Sequence, residues 1–376
     1  MTNVMSNKQR NLPLDVLRGM TVALMITVNN PGSWNDIYAP FRHAEWHGFT
    51  LTDLVFPTFL FAVGNSMSFT KKAIGAVSTA EFYKKVLKRS AIIFLIGFLL
   101  LYFPSFKIEE GKLIFISPLD VRLWGVLQRI AVCYLLASIV IHYLHKKGII
   151  ILSICTLLGY WAVLYLGNPN DPYSLQGNLV RTVDLLLFNA KNLYQGFGIP
   201  FEPEGLLSTL PATVNVLAGY LIGLFVQSPG TTKSKVIKTT IIGAVLVAVS
   251  MVWNASFPIN KAIWTSSYVL LTVGLDLLIL AVLIVFIELA NLRKWTYFFA
   301  VFGKNPLFIY IISWMVLKVL YMIQLGRLSI ASSAYRNLFL SAMEPKNASL
   351  AFALAYMLLM WLVCWVLDKR KIYVKV

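Results

Sequence analysis

The chain has 376 residues, 58% of them hydrophobic and 13% charged, with a mean hydropathy of +0.72. A soluble domain carries about 25% charged residues, so this composition excludes a soluble globular protein and points to a membrane protein. The net charge of +17 fits Lys- and Arg-rich cytoplasmic loops better than nucleic-acid binding. Cys133, Cys155 and Cys364 all lie in apolar runs, which argues against a disulfide framework.

Apolar stretches long enough to cross about 30 Å of hydrocarbon recur along the chain. They predict an all-α, polytopic integral membrane protein with about ten transmembrane helices, forming a single domain over residues 1–376. The expected spans are 14–30, 51–70, 89–105, 123–143, 149–167, 206–226, 237–254, 262–288, 299–323 and 349–368. A membrane β-barrel would show strand-length alternation instead. The first run, "LPLDVLRGMTVALMITVNN", follows Lys8 and Arg10 as a signal peptide would. It contains Asp15 and Arg18 and no small-residue cleavage site, and reads as a retained helix. Lys and Arg concentrate in the N-terminal tail, the even-numbered loops and the C-terminal tail, which places both termini in the cytoplasm. The connection 168–205 is too long for a simple link. Within it, "NLVRTVDLLLFNAKNLYQG" has helical apolar spacing and predicts an amphipathic helix on the external surface.

Ionisable side chains within spans are costly and mark cavities or partners. Along the chain they are Asp15 and Arg18, Asp53, Arg122 with Gln128 and Arg129, Asp276, and Lys304 with Asn305 and Lys318. Asp15 and Arg18 are one turn apart and able to neutralise each other. Carboxylates and histidine gather toward the external side, cations toward the cytoplasm. Paired basic groups in a membrane suit a phosphate-bearing ligand; alternatively, Arg129 forms a structural ion pair with Asp53 or Asp276.

Two of the four histidines stand in "FRHAEWHGFTLTDLVFPTF", at the mouth of the second span. A neutral imidazole is the natural base near neutral pH, and Asp53 or Glu45 is placed to fix the tautomer of His43. His43 and His47 at i and i+4 also have the spacing of two metal ligands, but no third follows, so no metal is expected. Glu204, like His43 and Asp53, should lie near the outer face. His142 and His145 belong to a basic loop and face lipid headgroups.

"LDVLRGMTVALMITVNN", "FRHAEWHGFTLTDLVFPTFLFAVGNSM", "LWGVLQRIAVCYLLA", "EPEGLLSTLPATVNVLAGYLIG", "NKAIWTSSYVLLTVGLD" and "FGKNPLFIY" resemble, in order, segments of the heparan-α-glucosaminide N-acetyltransferase family. The similarity is strongest to its bacterial members, which lack the lysosomal enzyme's extra N-terminal region. "LDxLRG" alone is weak; the histidine segment with "LTDLVFP", "GVLQR" and "PEGLLSTLP" is far more specific. The resemblance implies transfer of acetyl from cytosolic acetyl-CoA to a glucosamine amine on the external side of a bacterial cytoplasmic membrane. It also points to a homodimer.

The catalytic histidine of that family corresponds to His43, and its asparagine at the end of the first span to Asn29 or Asn30. This chain is a few residues longer between that asparagine and His43. Arg129 matches the arginine of "GVLQR". On this reading Arg129, Gln128, Lys304, Asn305 and Arg18 hold acetyl-CoA, Asn29 donates to an oxyanion, Asp53 orients His43, and Glu204, Trp46 and Asp53 contact the acceptor sugar. His43 then serves either as general base or as acetyl carrier. O-acetylation of a glycan hydroxyl is open to the same base. A secondary transporter of sugars or amino sugars is the main alternative, although no inverted repeat is evident.

Overall fold

The computed structural model describes residues 11–69, 78–109 and 112–374. Segments 1–10 and 70–77, which carry part of the charge-orientation argument, lie outside the described residues, as does the last residue of the expected span 51–70.

The described chain is built from helices α1 Leu12–Asn29, α2 Leu51–Ser68, α3 Thr79–Tyr102, α4 Val126–Tyr143, α5 Lys146–Gly167, α6 Leu179–Leu187 and α7 Thr209–Gln227. They continue as α8 Thr232–Trp253, α9 Ser266–Ile284, α10 Thr296–Lys304, α11 Pro306–Met322, α12 Ile330–Ala334 and α13 Pro345–Lys369. Two small antiparallel hairpins complete the set. β1 Phe106–Glu109 pairs with β2 Lys112–Phe115, Phe106 opposite Phe115, and β3 Gln324–Leu325 pairs with β4 Leu328–Ser329.

Among the described residues, 7 helices are long and apolar enough to cross a bilayer, or 8 with the pair α10–α11, bent by 84°. This is a multi-pass membrane protein. The bend falls at Asn305–Pro306, where Pro306 supplies no backbone N–H to continue α10. The count of about ten is reached only by adding α2 and α3, of 18 and 24 residues. These are less apolar because α2 carries Asp53, Pro57 and Asn65 and α3 opens on a charged segment. Helix α3 starts well before the expected span. Ser78 caps it by accepting the Glu81 N–H at 3.3 Å, the Ser-x-x-Glu pattern of a capping box, so the charged "EFYKKVLKR" is helical too.

The chain divides into two compact units. The first contains residues 1–37, 230–240 and 278–375. In it α1 packs on α10 and α13. Arg18 meets Asp15 at 3.3 Å and the Gly303 carbonyl at 3.2 Å.

The second unit contains residues 38–229 and 241–277. Its centre is the pair α2 and α7, which approach closely because both present glycine. A Cβ on Gly64 would stand 1.8 Å from the Val216 carbonyl oxygen, and one on Gly219 2.0 Å from that of Phe61. Along this contact buried polar pairs accompany Leu60 and Leu217. Thr58 meets Asp276 at 2.6 Å, and Asn215 joins Thr272 and the Trp264 indole at 3.1 Å each. Helix α5, in contrast, exposes Ile151, Ile154, Leu158 and Leu166, an apolar surface that suits lipid.

Candidate active site

The second unit brings together two of the residues singled out in the sequence, His43 and Asp53. Asp53 is the third residue of α2. From there its carboxylate reaches back to the backbone N–H of Thr50 at 3.1 Å, the reciprocal half of a capping box. The same oxygen, Oδ2, accepts the Ala44 N–H at 3.1 Å. The helix start thus anchors the loop that carries the histidine. The other oxygen, Oδ1, lies 2.7 Å from His43 Nδ1. Asp53 is 1% exposed and His43 49%. A buried acid therefore holds one ring nitrogen, and the rest of the ring is half open. Glu45, the other candidate orienter, is exposed.

A third group completes this cluster. Lys261 Nζ lies 3.0 Å from His43 Nδ1 and 3.5 Å from Nε2, and 3.5 Å from Asp53 Oδ1. Burial pushes its ammonium below the ordinary lysine value, against the pull of Asp53 and Glu204. Lys261 projects from a tight turn. The Asn260 side chain accepts the Ile263 N–H at 3.0 Å, and the Thr265 N–H returns to the Asn260 carbonyl at 3.1 Å. Within the turn Trp264 has φ of +50°, an unfavourable conformation for a bulky residue. Packing overrides it: the indole meets Phe56 and Tyr268 edge-on, each at 5.2 Å, and donates to Asn215. Asn260 also approaches His47, its Nδ2 at 3.3 Å from Nδ1. Burial lowers the pKa of His47. The two histidines of the motif therefore have different partners.

A second constellation lies in the loop 202–208, before α7. Arg122 Nε donates to Glu202 at 2.8 Å, while Nη2 reaches the other oxygen of Glu202 and, at 2.5 Å, Glu204. Arg129, at 0% exposure, stacks over Trp264 at 4.8 Å. It donates from Nη2 to the Gly205 carbonyl at 3.1 Å and to Ser208 Oγ. Asp184 of α6 accepts the Leu206 N–H at 3.1 Å. One peptide group, Gly205–Leu206, is thus gripped through its carbonyl by Arg129 and through its N–H by Asp184. Burial pushes the Asp184 carboxyl up to about 6. Glu204 lies within electrostatic reach of Arg122, Arg129 and Lys261, so the two constellations share one charge environment. Arg129 pairs with neither Asp53 nor Asp276 among the described contacts; its Nε and Nη1 have no protein partner.

The remaining candidates have other surroundings. Trp46 donates its indole N–H to the Tyr173 carbonyl at 2.8 Å and packs edge-on against Phe197 and Phe201. Gln128 is buried and donates to the Leu123 carbonyl at 3.1 Å. In the first unit Asn29 is exposed at the end of α1, while Asn30 is buried and donates to Ile26 at 2.6 Å. Lys304 binds Asp368 at 2.6 Å. Asn305 bridges the Ile372 carbonyl and the Val374 N–H.

Sequence reasoning missed Lys261 and Glu202. Lys261 lies in "NKAIW", 218 residues from His43, with no periodicity to announce it. Glu202 had a usable signal: it stands two residues before Glu204 across Pro203, so both carboxylates leave one short, stiff loop.

Residues 10–252 match the sequence model for the catalytic region of heparan-alpha-glucosaminide N-acetyltransferase. The human heparan-alpha-glucosaminide N-acetyltransferase is 28% identical over 356 residues, covering 79% of this chain and 52% of the relative. The mouse protein of the same name is 27% identical over 360 residues, covering 81% and 53%. The chain spans about half the length of these relatives. With a match across more than half of its residues, the chain belongs to the heparan-alpha-glucosaminide N-acetyltransferase catalytic family.

Proposed function

We propose that the protein is a membrane acetyltransferase. It moves the acetyl group of cytosolic acetyl-CoA to the amine of a glucosamine-type sugar or glycan on the external face of a bacterial cytoplasmic membrane, both termini being cytoplasmic. The observation that carries this reading is the His43–Asp53 pair in a chain of this family. Asp53 fixes Nδ1 as the protonated nitrogen, which leaves the Nε2 lone pair as the base. Nε2 takes a proton from the acceptor nitrogen as that nitrogen attacks the acetyl carbonyl carbon. The C–S bond then breaks, and the thiolate of CoA receives the same proton.

Glu204, beside the cluster and not fully consumed by Arg122, is the group proposed to attract the cationic amine; Trp46 and Asp53 complete the acceptor side. On the donor side, the free Nε and Nη1 of Arg129 support a contact to polar atoms of acetyl-CoA. Arg18, Lys304, Asn305 and Gln128 already have protein partners, so ligand binding there requires exchange of those bonds.

The test is CoA release by the purified protein. Release that requires glucosamine, and yields N-acetylglucosamine, supports the reading. Acetyl-CoA binding without turnover on glucosamine directs the search to other glycans, including hydroxyl acceptors. Well-folded protein that binds no acetyl-CoA, or vesicles that accumulate unmodified sugar without it, would replace the enzyme with a transporter.

A further inference from the structure

His43 Nδ1 has two polar neighbours, Asp53 Oδ1 at 2.7 Å and Lys261 Nζ at 3.0 Å. A ring nitrogen either donates or accepts, so it serves only one of them. A carboxylate is acceptor-only and an ammonium donor-only. The shorter contact, to a buried carboxylate, takes the Nδ1 proton. Lys261 is then not a hydrogen-bond partner of Nδ1, although it stands beside the ring. Its remaining contacts to acceptors among the described residues are both long, to Asp53 Oδ1 and to Nε2 itself, each at 3.5 Å. An ammonium with three N–H groups therefore keeps at least one unused donor beside Nε2, the nitrogen that remains available as base.

This placement is constrained. The Asn260 turn fixes the backbone of Lys261, and the packed, positive-φ Trp264 closes the turn. A residue held in an unfavourable conformation by over-determined packing is a mark of a functional constraint. The side chain remains 24% exposed, enough to meet a ligand.

Resting on the acetyl-transfer reading above, we propose that Lys261 is a catalytic residue that donates a hydrogen bond to the acetyl carbonyl oxygen as negative charge develops on it. When the acceptor nitrogen bonds to the carbonyl carbon, the C=O π pair moves onto oxygen. Lys261 stabilises that oxyanion without giving up a proton. The pair returns as the C–S bond breaks, and the acceptor's proton travels through His43 to sulfur. A preorganised donor of this kind acts mainly on the transition state.

The experiment compares wild type, Lys261→Met and Lys261→Arg of the full chain with acetyl-CoA and glucosamine. Lys261→Met is expected to lower kcat about 100-fold, with KM for both substrates and the thermal midpoint essentially unchanged. Lys261→Arg, which keeps a cationic donor, is expected to recover part of that loss. The pH profile gives a second readout. The charges facing Lys261 are His43, Asp53 of α2, Glu204 of the 202–208 loop and Arg129 of α4. Burial lowers the pKa of the Lys261 ammonium, and a guanidinium stays protonated to far higher pH. Any alkaline fall in kcat that comes from loss of this cation should therefore shift to higher pH in Lys261→Arg. Wild-type kcat in Lys261→Met would overturn the inference, as would a loss confined to KM for the sugar, which would make Lys261 an acceptor contact. A wild type that turns over no acceptor would instead bring down the acetyl-transfer reading itself.

Discussion

The two charged constellations of the second unit have similar residues and opposite character. Around His43, the hydrogen-bonding capacity is incomplete: the ring is 49% exposed, the Lys261 side chain 24% exposed, and at least one ammonium N–H is unused. Around Glu202, the groups are buried and most are paired, with Arg129 Nε and Nη1 and Asp184 Oδ2 left without a protein hydrogen bond. Arg122 meets two carboxylates, Asp184 and Arg129 hold one peptide, and Glu202, Asp184 and Arg129 are each 0% exposed. Open valence beside solvent is what acid–base chemistry needs. Paired, buried charge fixes geometry and is expensive to disturb. The difference teaches that a charged residue in this membrane domain is read by what its partners leave free.

Substitutions should separate the two regions. His43→Ala is expected to give the largest effect, a loss of acetyl transfer of about 1,000–10,000-fold. Its thermal midpoint should match wild type, because the ring is half exposed; a large drop in stability would move His43 into the scaffold. Arg122→Ala should do the reverse. It strands the buried Glu202 and should cost about 3–5 kcal/mol of stability, read as a collapse of the thermal midpoint in detergent. A well-folded Arg122→Ala protein would show that the loop does not depend on the pair.

Asp184→Asn provides a pH test. The carboxyl is at about 6 in the fold and about 4 in an unfolded chain. Between those values the folded state holds a proton that the unfolded state has lost, so the stability from this group falls as pH rises from 4 to 6. Asparagine does not titrate there and keeps an oxygen for Leu206. The variant should therefore gain on wild type across that window by about 3 kcal/mol and hold the gain above it. A constant difference would refute the assignment. The smallest effect belongs to His142→Ala. That ring stacks on Phe82 at 4.1 Å, away from the motif, and turnover should stay within about twofold of wild type, as for surface changes generally.

What could be read in the sequence was what is local. Asp53 and His43 are ten residues apart and joined through a helix start, so capping rules and the histidine chemistry converge on them. The helix within 168–205 announced itself by periodicity and forms as α6. Hydropathy marked bilayer-length segments but not helix ends. It stopped short of the charged start of α3, and it ran through Asn305, where the helix axis turns by 84°. Long-range partners were unreadable. Arg129 chose a backbone carbonyl and a serine over the aspartates that charge matching favoured. Lys261 reached the site only because a turn at Asn260, set by side-chain hydrogen bonds and tryptophan packing, carried it there.

The most direct measurement uses sealed vesicles of known orientation, loaded with acetyl-CoA on the cytoplasmic side and given labelled glucosamine on the other. The expected result is N-acetylglucosamine on the external side while CoA stays within, with both signals lost in His43→Ala. Unmodified sugar crossing the membrane, or acetylation that persists in His43→Ala, would contradict the assignment of His43 as the point where donor and acceptor meet.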